Sequence, residues 1–172
     1  KQRKTTVTVG TGKDAVEVEN VDPDVELLGA VDLDGRPGQE ILALQPDLVL
    51  AFSDLQADLV AELIRRNVAV HAFNQRDIAG ILDMIRTVGA LTGAATKAAA
   101  LAASLEQRLR DVHNRAQSLT RRPRVYFEEW DEPQISGIRW VSELVGVAGG
   151  DDVFPELAAC GLGKDRIVAD PL

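Results

Sequence analysis

The stretch Pro46-Asp47-Leu48-Val49-Leu50-Ala51-Phe52-Ser53-Asp54, continued by Leu55 to Asn67 and closed by Val68-Ala69-Val70-His71-Ala72-Phe73, decides the fold. Leu48 to Phe52 form an unbroken apolar run bounded by turn signals, which predicts a strand buried on both faces, as in a parallel sheet. Ser53, with Gln56 three residues on, has the spacing of a capping box and starts a helix. Leu55, Leu59, Val60, Leu63 and Ile64 mark the expected buried stripe of that helix, and Asn67 is placed to end it. Val68 to Phe73 are the next strand. Strand, helix and strand in immediate succession imply α/β layers with parallel pairing.

Upstream, residues 4–19 alternate Thr and Val at period two, break at Gly10-Thr11-Gly12-Lys13-Asp14, and predict a β-hairpin. Residues 20–36 are rich in Asp, Gly and Pro and predict irregular structure with at most one short strand over 26–31. Pro37 opens a short helix through Leu44, proline being suited to the first helical turn. Downstream, Asp77 caps a helix carrying Ile78, Ile81, Leu82, Ile85, Val88 and Leu91, which Gly93 ends. One long helix follows over 94–119, with Leu101, Leu105, Leu109, Val112, Ala116 and Leu119 stepping by threes and fours. At 1.5 Å per residue it would be about 39 Å long, unusual within one small domain. Arg121 and Arg122 suit a helix C-terminus, and Pro123 forbids continuation. A parallel-core strand is expected over 124–129, an amphipathic helix over 140–148 ended by Gly149-Gly150, and a short strand over 166–169. The long helix divides the βα units, giving an N-terminal lobe (1–93), a connecting helix (94–119) and a partial C-terminal lobe (120–172).

The composition narrows the function. The 172 residues are 45% hydrophobic and 27% charged, values of an ordinary globular chain and not of a disordered tail, a collagen or a coiled-coil rod. Nineteen basic against 27 acidic residues leave −8, which argues against nucleic acid as a partner. The charge is segregated: residues 1–60 carry −7, residues 61–127 carry +6 and residues 128–172 carry −7. Such asymmetry can steer docking onto a positively charged partner, but solvated surface charge is the commoner explanation. The single cysteine, Cys160, excludes an internal disulfide and a multi-cysteine metal site, and His71 and His113 are too far apart for a histidine cage. No apolar run reaches the length of a membrane span. Lys1 to Lys4 are followed by no apolar stretch, so no signal peptide is expected in these residues.

Few residues carry chemistry. Gly10-Thr11-Gly12-Lys13 lacks the spacing of a phosphate loop, and no Gly-x-Ser-x-Gly elbow occurs. The densest candidate is Phe127-Glu128-Glu129-Trp130-Asp131-Glu132-Pro133, at the C-terminal end of an expected strand, where ligands bind in open α/β sheets. Trp130 is either a hydrophobic plug in a solvated acidic loop or the wall of a ligand cleft. The carboxylates of Glu128, Glu129 and Asp131 are candidates for acid–base work, but acids so close repel one another without a cation or water. Phe52 and Ser53 occupy the equivalent strand end in the first block, where a ring and backbone N–H groups can face a ligand.

Glu40-Ile41-Leu42-Ala43-Leu44-Gln45-Pro46-Asp47-Leu48-Val49-Leu50-Ala51 resembles the phrase that closes the first half of the N-terminal lobe in substrate-binding proteins of metal-chelate ABC importers. Arg122 to Trp130 resemble the opening strand of that family's second lobe, and Trp140 to Val145 with Ala148 to Phe154 its first helix and following turn. The Glu-Glu-Trp-Asp-Glu-Pro form is most similar to cobalamin-binding members. The resemblance implies an α/β fold of the class III periplasmic-binding-protein type: two lobes with parallel sheets joined by one long rigid helix, the second lobe truncated. It implies a binding protein, not an enzyme, that takes a metal chelate as a small-molecule ligand, cobalamin first and ferric siderophore or haem next, with no cofactor and no protein metal site. Phe52, Ser53, Glu129, Trp130, Ile135 and Ser136 are the ligand-binding residues expected on that basis. An acidic residue on each lobe of such proteins docks to the permease. The first-lobe position falls on Gln39, with Glu40 beside it, and the second at or beyond Leu172. A monomer in the periplasm or anchored to the cell surface is expected, with no membrane span of its own. The alternatives are an intracellular sensor of a cobalamin-like ligand, or an α/β enzyme fragment using Glu128, Glu129 and Asp131.

Overall fold

The computed structural model describes residues 6–9, 16–19 and 37–169. The strand expected over 26–31, the Gly10–Asp14 turn and the position at Leu172 lie outside the described residues. The chain forms two compact units, Lys1–Asn74 and Gln75–Leu172.

In the first unit, strands β1 (Thr6–Val9) and β2 (Val16–Glu19) pair antiparallel, Thr6 opposite Glu19. Helix α1 (Pro37–Ala43) then leads to β3 (Val49–Phe52), and β4 (Val70–Phe73) runs parallel to it with Val49 opposite Val70 and Phe52 opposite Phe73. Between them lie a 3-10 turn (Asp54–Gln56) and helix α2 (Ala57–Arg65), which stops as Asn67 enters the left-handed region at φ 61°. The expected parallel βαβ order is present.

Two burial expectations differ. β3 is covered on one side only: Ala51 is buried while Leu50 and Phe52 stand exposed. The stripe of α2 is narrower than its sequence, for Leu63 is fully buried but Leu55 and Ile64 are exposed. The cause of the latter is partly local. Leu55 sits in the 3-10 turn, where three residues per turn rotate it off the helix face.

The second unit opens with a helical hairpin. Asp77 Oδ1 accepts from Gly80 N at 2.8 Å, capping α3 (Ile78–Leu91), and Gly93 turns the chain at φ 76°. Helix α4 (Ala95–Ala116) is unbroken for 22 residues and packs along α3 through buried Leu82, Gly89, Ala98 and Ala102. It ends three residues before the expected 119. Of the expected stripe, Leu101 and Leu119 are exposed.

The strand expected over 124–129 divides. β5 (Arg124–Val125) pairs parallel with β8 (Asp151–Asp152), whereas β6 (Glu128–Trp130) leaves that sheet to pair antiparallel with β7 (Ile135–Ser136). The physical reason is charge: Glu128, Glu129, Asp131 and Glu132 keep solvent only if the chain turns out of the parallel sheet. Helix α5 (Arg139–Val147) follows and ends at Gly149, φ 83°. A short helix α6 (Pro155–Ala158) and a 3-10 turn (Gly163–Arg166) complete the unit. The strand expected over 166–169 is reduced to one antiparallel bridge, Ile135 to Ile167, because Arg166 belongs to the turn. Among the described residues no helix is long and apolar enough to cross a membrane.

Candidate functional site

Phe52 and Ser53 stand where β3 ends. Ser53 N donates to Phe73 O at 2.6 Å, extending the parallel ladder one residue beyond β3. Ser53 then takes φ 76°, a region a residue with a side chain seldom occupies, and reverses the chain. Its Oγ accepts from Leu55 N at 3.3 Å, as a helix cap does, but the partner glutamine reaches one residue further than a capping box requires: Gln56 Oε1 accepts from Phe52 N at 2.8 Å. Both contacts hold the backbone behind the Phe52 ring, which is 50% exposed. At the same strand end, but not lined by Phe52, lies an open apolar concavity of about 310 Å³, walled by Ser53, Ala57, Val60, Ile64, Ala72 and Phe73.

The other candidates share the β6–β7 hairpin of the second unit. Glu128 faces Ser136 and Trp130 faces Ile135, so Glu129 is the extra residue of a bulge. Trp130 is 60% exposed, and its indole Nε1 donates to Glu132 O at 3.2 Å across a turn that contains the cis Glu132–Pro133 bond. Glu129 accepts from a buried arginine. Arg166 Nη1 and Nη2 donate to its two oxygens at 2.6 and 3.0 Å, and Nη1 donates to the carbonyl of Ser136 as well. Ser136 is buried, and its Oγ donates to Arg166 O at 3.4 Å. Glu128 accepts from Tyr126 OH at 3.1 Å. Burial first, and the Glu128 carboxylate second, raise the Tyr126 phenol above its ordinary value.

Glu129, Trp130, Ile135 and Ser136 are therefore brought together on one hairpin, while Phe52 and Ser53 belong to a strand end of the first unit. Asp131 is exposed in the hairpin turn, and Gln39 is exposed on α1. Among the described residues no group of three His, Cys, Asp or Glu side chains could hold a metal ion. Arg166 is the residue that sequence reasoning missed. It lies 37 positions from its carboxylate, and no local pattern signals a pair that distant.

Residues 8–171 match the family described as periplasmic binding protein. The chain belongs to that family. Periplasmic binding proteins are substrate-binding proteins, not enzymes, and the enzyme alternative falls with that membership. Among curated relatives, the cobalamin-binding proteins of two Halobacterium salinarum strains are 28% identical over 129 residues, 72% of this chain and 35% of theirs. The chain thus spans about a third of the length of the curated relatives it matches. Among solved structures, the periplasmic haem-binding protein RhuT of Roseiflexus sp. RS-1 superposes with a TM-score of 0.59 at 20% identity, covering 72% of this chain and 49% of that one. The periplasmic vitamin B12-binding protein BtuF of Vibrio cholerae gives 0.53 at 23% identity, covering 73% and 49%. These likenesses establish the class III periplasmic-binding-protein fold, mixed α/β with parallel pairs.

Proposed function

We propose that this periplasmic binding protein captures a metal chelate outside the cytoplasm, cobalamin first and haem or a ferric siderophore next, and delivers it to the permease of an ABC importer. The observation that carries the reading is Trp130: a large ring, 60% exposed, on a hairpin whose backbone is held by hydrogen bonds, in a chain of a binding-protein family. An exposed indole is poorly used in water and well used against the flat face of a large organic ligand, where apolar walls with a few polar contacts supply affinity. Ile135 is assigned to ligand contact with it, and Glu129 and Ser136 to the support of the hairpin; Phe52 and Ser53, at the strand end of the first unit, are a separate candidate for ligand contact. The two relatives named cobalamin-binding proteins favour cobalamin over the other chelates.

The lobe division at 1–93, 94–119 and 120–172, a monomeric state and a periplasmic or surface-anchored location belong to the same reading. So does permease docking through α1, where Gln39 is exposed and Glu40 is its neighbour. Titration with cyanocobalamin, haemin and a ferric siderophore, read by tryptophan quenching, tests it. Saturable quenching by one of the three is expected. Absence of saturable binding by all three overturns the chelate assignment.

A further inference from the structure

We propose that Arg166 is a positioning residue whose paired contacts with Glu129 hold the bulge of the β6–β7 hairpin and thereby fix the direction of Trp130. Four observations meet at this side chain. Its side chain is 3% exposed, whereas the Glu129 side chain is 42% exposed, so the arginine is the buried anchor and the glutamate the surface arm drawn onto it. The pairing is two-pronged, which fixes the carboxylate in plane as well as in distance. One nitrogen also binds the Ser136 carbonyl, so a single group grips both strands of the hairpin. Finally, Glu129 is the bulge residue, the position at which a strand re-aims its neighbours. Trp130 is that neighbour.

Around Arg166 the chain is tied to the same hairpin by Val168 N donating to Gln134 O at 2.9 Å and by the Ile135–Ile167 bridge. These backbone contacts hold the turn against β7. The arginine side chain reaches on to β6. Lysine cannot replace it, because an ammonium offers no planar fork to a carboxylate. The relevance of Trp130 to a ligand rests on the function proposed above; its orientation by Arg166 does not.

The test uses Trp140→Phe as the parent, which leaves Trp130 as the sole tryptophan of the chain. Fluorescence anisotropy decay, without ligand, reads local motion of that ring on the nanosecond scale. Arg166→Lys and Glu129→Gln are each expected to raise the amplitude of fast indole motion about twofold while the helical circular dichroism is unchanged. An unchanged amplitude in both folded variants overturns the proposal. Loss of the helical signal in Glu129→Gln overturns it as well, because the pair would then hold the whole unit and not the ring. Cyanocobalamin titration of the same variants separates the two readings: a loosened ring with unaltered affinity leaves Arg166 as the positioning residue and removes Trp130 from the ligand site.

Discussion

Gly89 of α3 lies so close to Ala98 of α4 that a β-carbon built on the glycine would stand 2.1 Å from that of the alanine. The same glycine accepts from Ala94 N at 2.7 Å through its carbonyl, so the turn between the helices closes on this point. Alanine is ordinarily the better helix former by about 1 kcal/mol. Here the extra methyl must push the helices apart, and overpacking of this kind costs about 1–3 kcal/mol. Gly89→Ala is therefore expected to lower the urea midpoint. A midpoint above that of the parent would show that the helices separate freely.

The first turn of α3 is held by two carboxylates from different elements. Asp77 Oδ1 accepts from Gly80 N, and Glu143 Oε2, from α5, accepts from Ile78 N at 2.8 Å. Arg139 joins them, 3.6 Å from Asp77 and 3.1 Å from Glu143. Asp77→Ala is expected to destabilise by about 0.5–2 kcal/mol, as loss of a helix cap does. Because the carboxylates share Arg139, Asp77→Ala with Glu143→Ala should depart from additivity by about 0.5 kcal/mol or more. Strictly additive unfolding free energies in that cycle would mean that the caps act separately.

Those features differ in how much of them the residues disclose. Ser53 and Asp77 mark caps through their side-chain oxygens, Asn67, Gly93 and Gly149 mark helix ends through their tolerance of positive φ, and the structure uses all five as such. The parallel pair β3–β4 is legible for the same reason, since its apolar runs and the helix between them are contiguous. Exit of the chain from the parallel sheet after Val125 is not legible as a position. Apolar Tyr126 and Phe127 continue the strand pattern, and the acids that draw the chain away follow only afterwards. Of the site, the aromatic Trp130 declares itself by composition, but the bulge depends on pairing register and its anchor on Arg166, both non-local.

Tyr126 is the only tyrosine of the chain, so phenolate absorbance reports it alone. Its ring packs edge-on to Phe154 at 5.8 Å, and burial, then Glu128, favour the neutral phenol. The folded value thus lies above the ordinary 10.0, and any stability this group supplies is full below pH 10.0 and lost as pH rises through the raised value. Spectrophotometric titration should place the midpoint above 10.0. Glu128→Gln should lower it only part of the way back, since the larger cause remains. A parent midpoint at or below the ordinary value would contradict this environment.

Helix α1 supplies a prediction about transport. Glu40→Ala should leave chelate binding in solution unaltered, because its proposed contact is with the permease. Uptake should slow instead, and more visibly at low ionic strength, where charges separated by about 10 Å or more are less screened. Weaker chelate binding by this variant would assign α1 to the ligand and not to the permease.

Trp130→Ala is the substitution that most directly examines the ligand face. Removing an exposed indole that becomes covered by ligand should weaken binding by about 1–3 kcal/mol, the worth of its apolar area with aromatic pairing at the lower end. Since about 1.4 kcal/mol is a factor of ten, the dissociation constant should rise by between roughly 5-fold and 140-fold. Trp140 is the control, a second tryptophan on α5 with no place in the proposed site. Trp140→Phe should leave the constant unchanged. Phe52→Ala, at the strand end of the first unit, tests that separate candidate and should weaken binding if its ring is covered by ligand. Equal losses in the Trp130 and Trp140 variants would mean that tryptophan substitution acts through folding, and an intact constant in Trp130→Ala would remove the hairpin from the ligand site altogether.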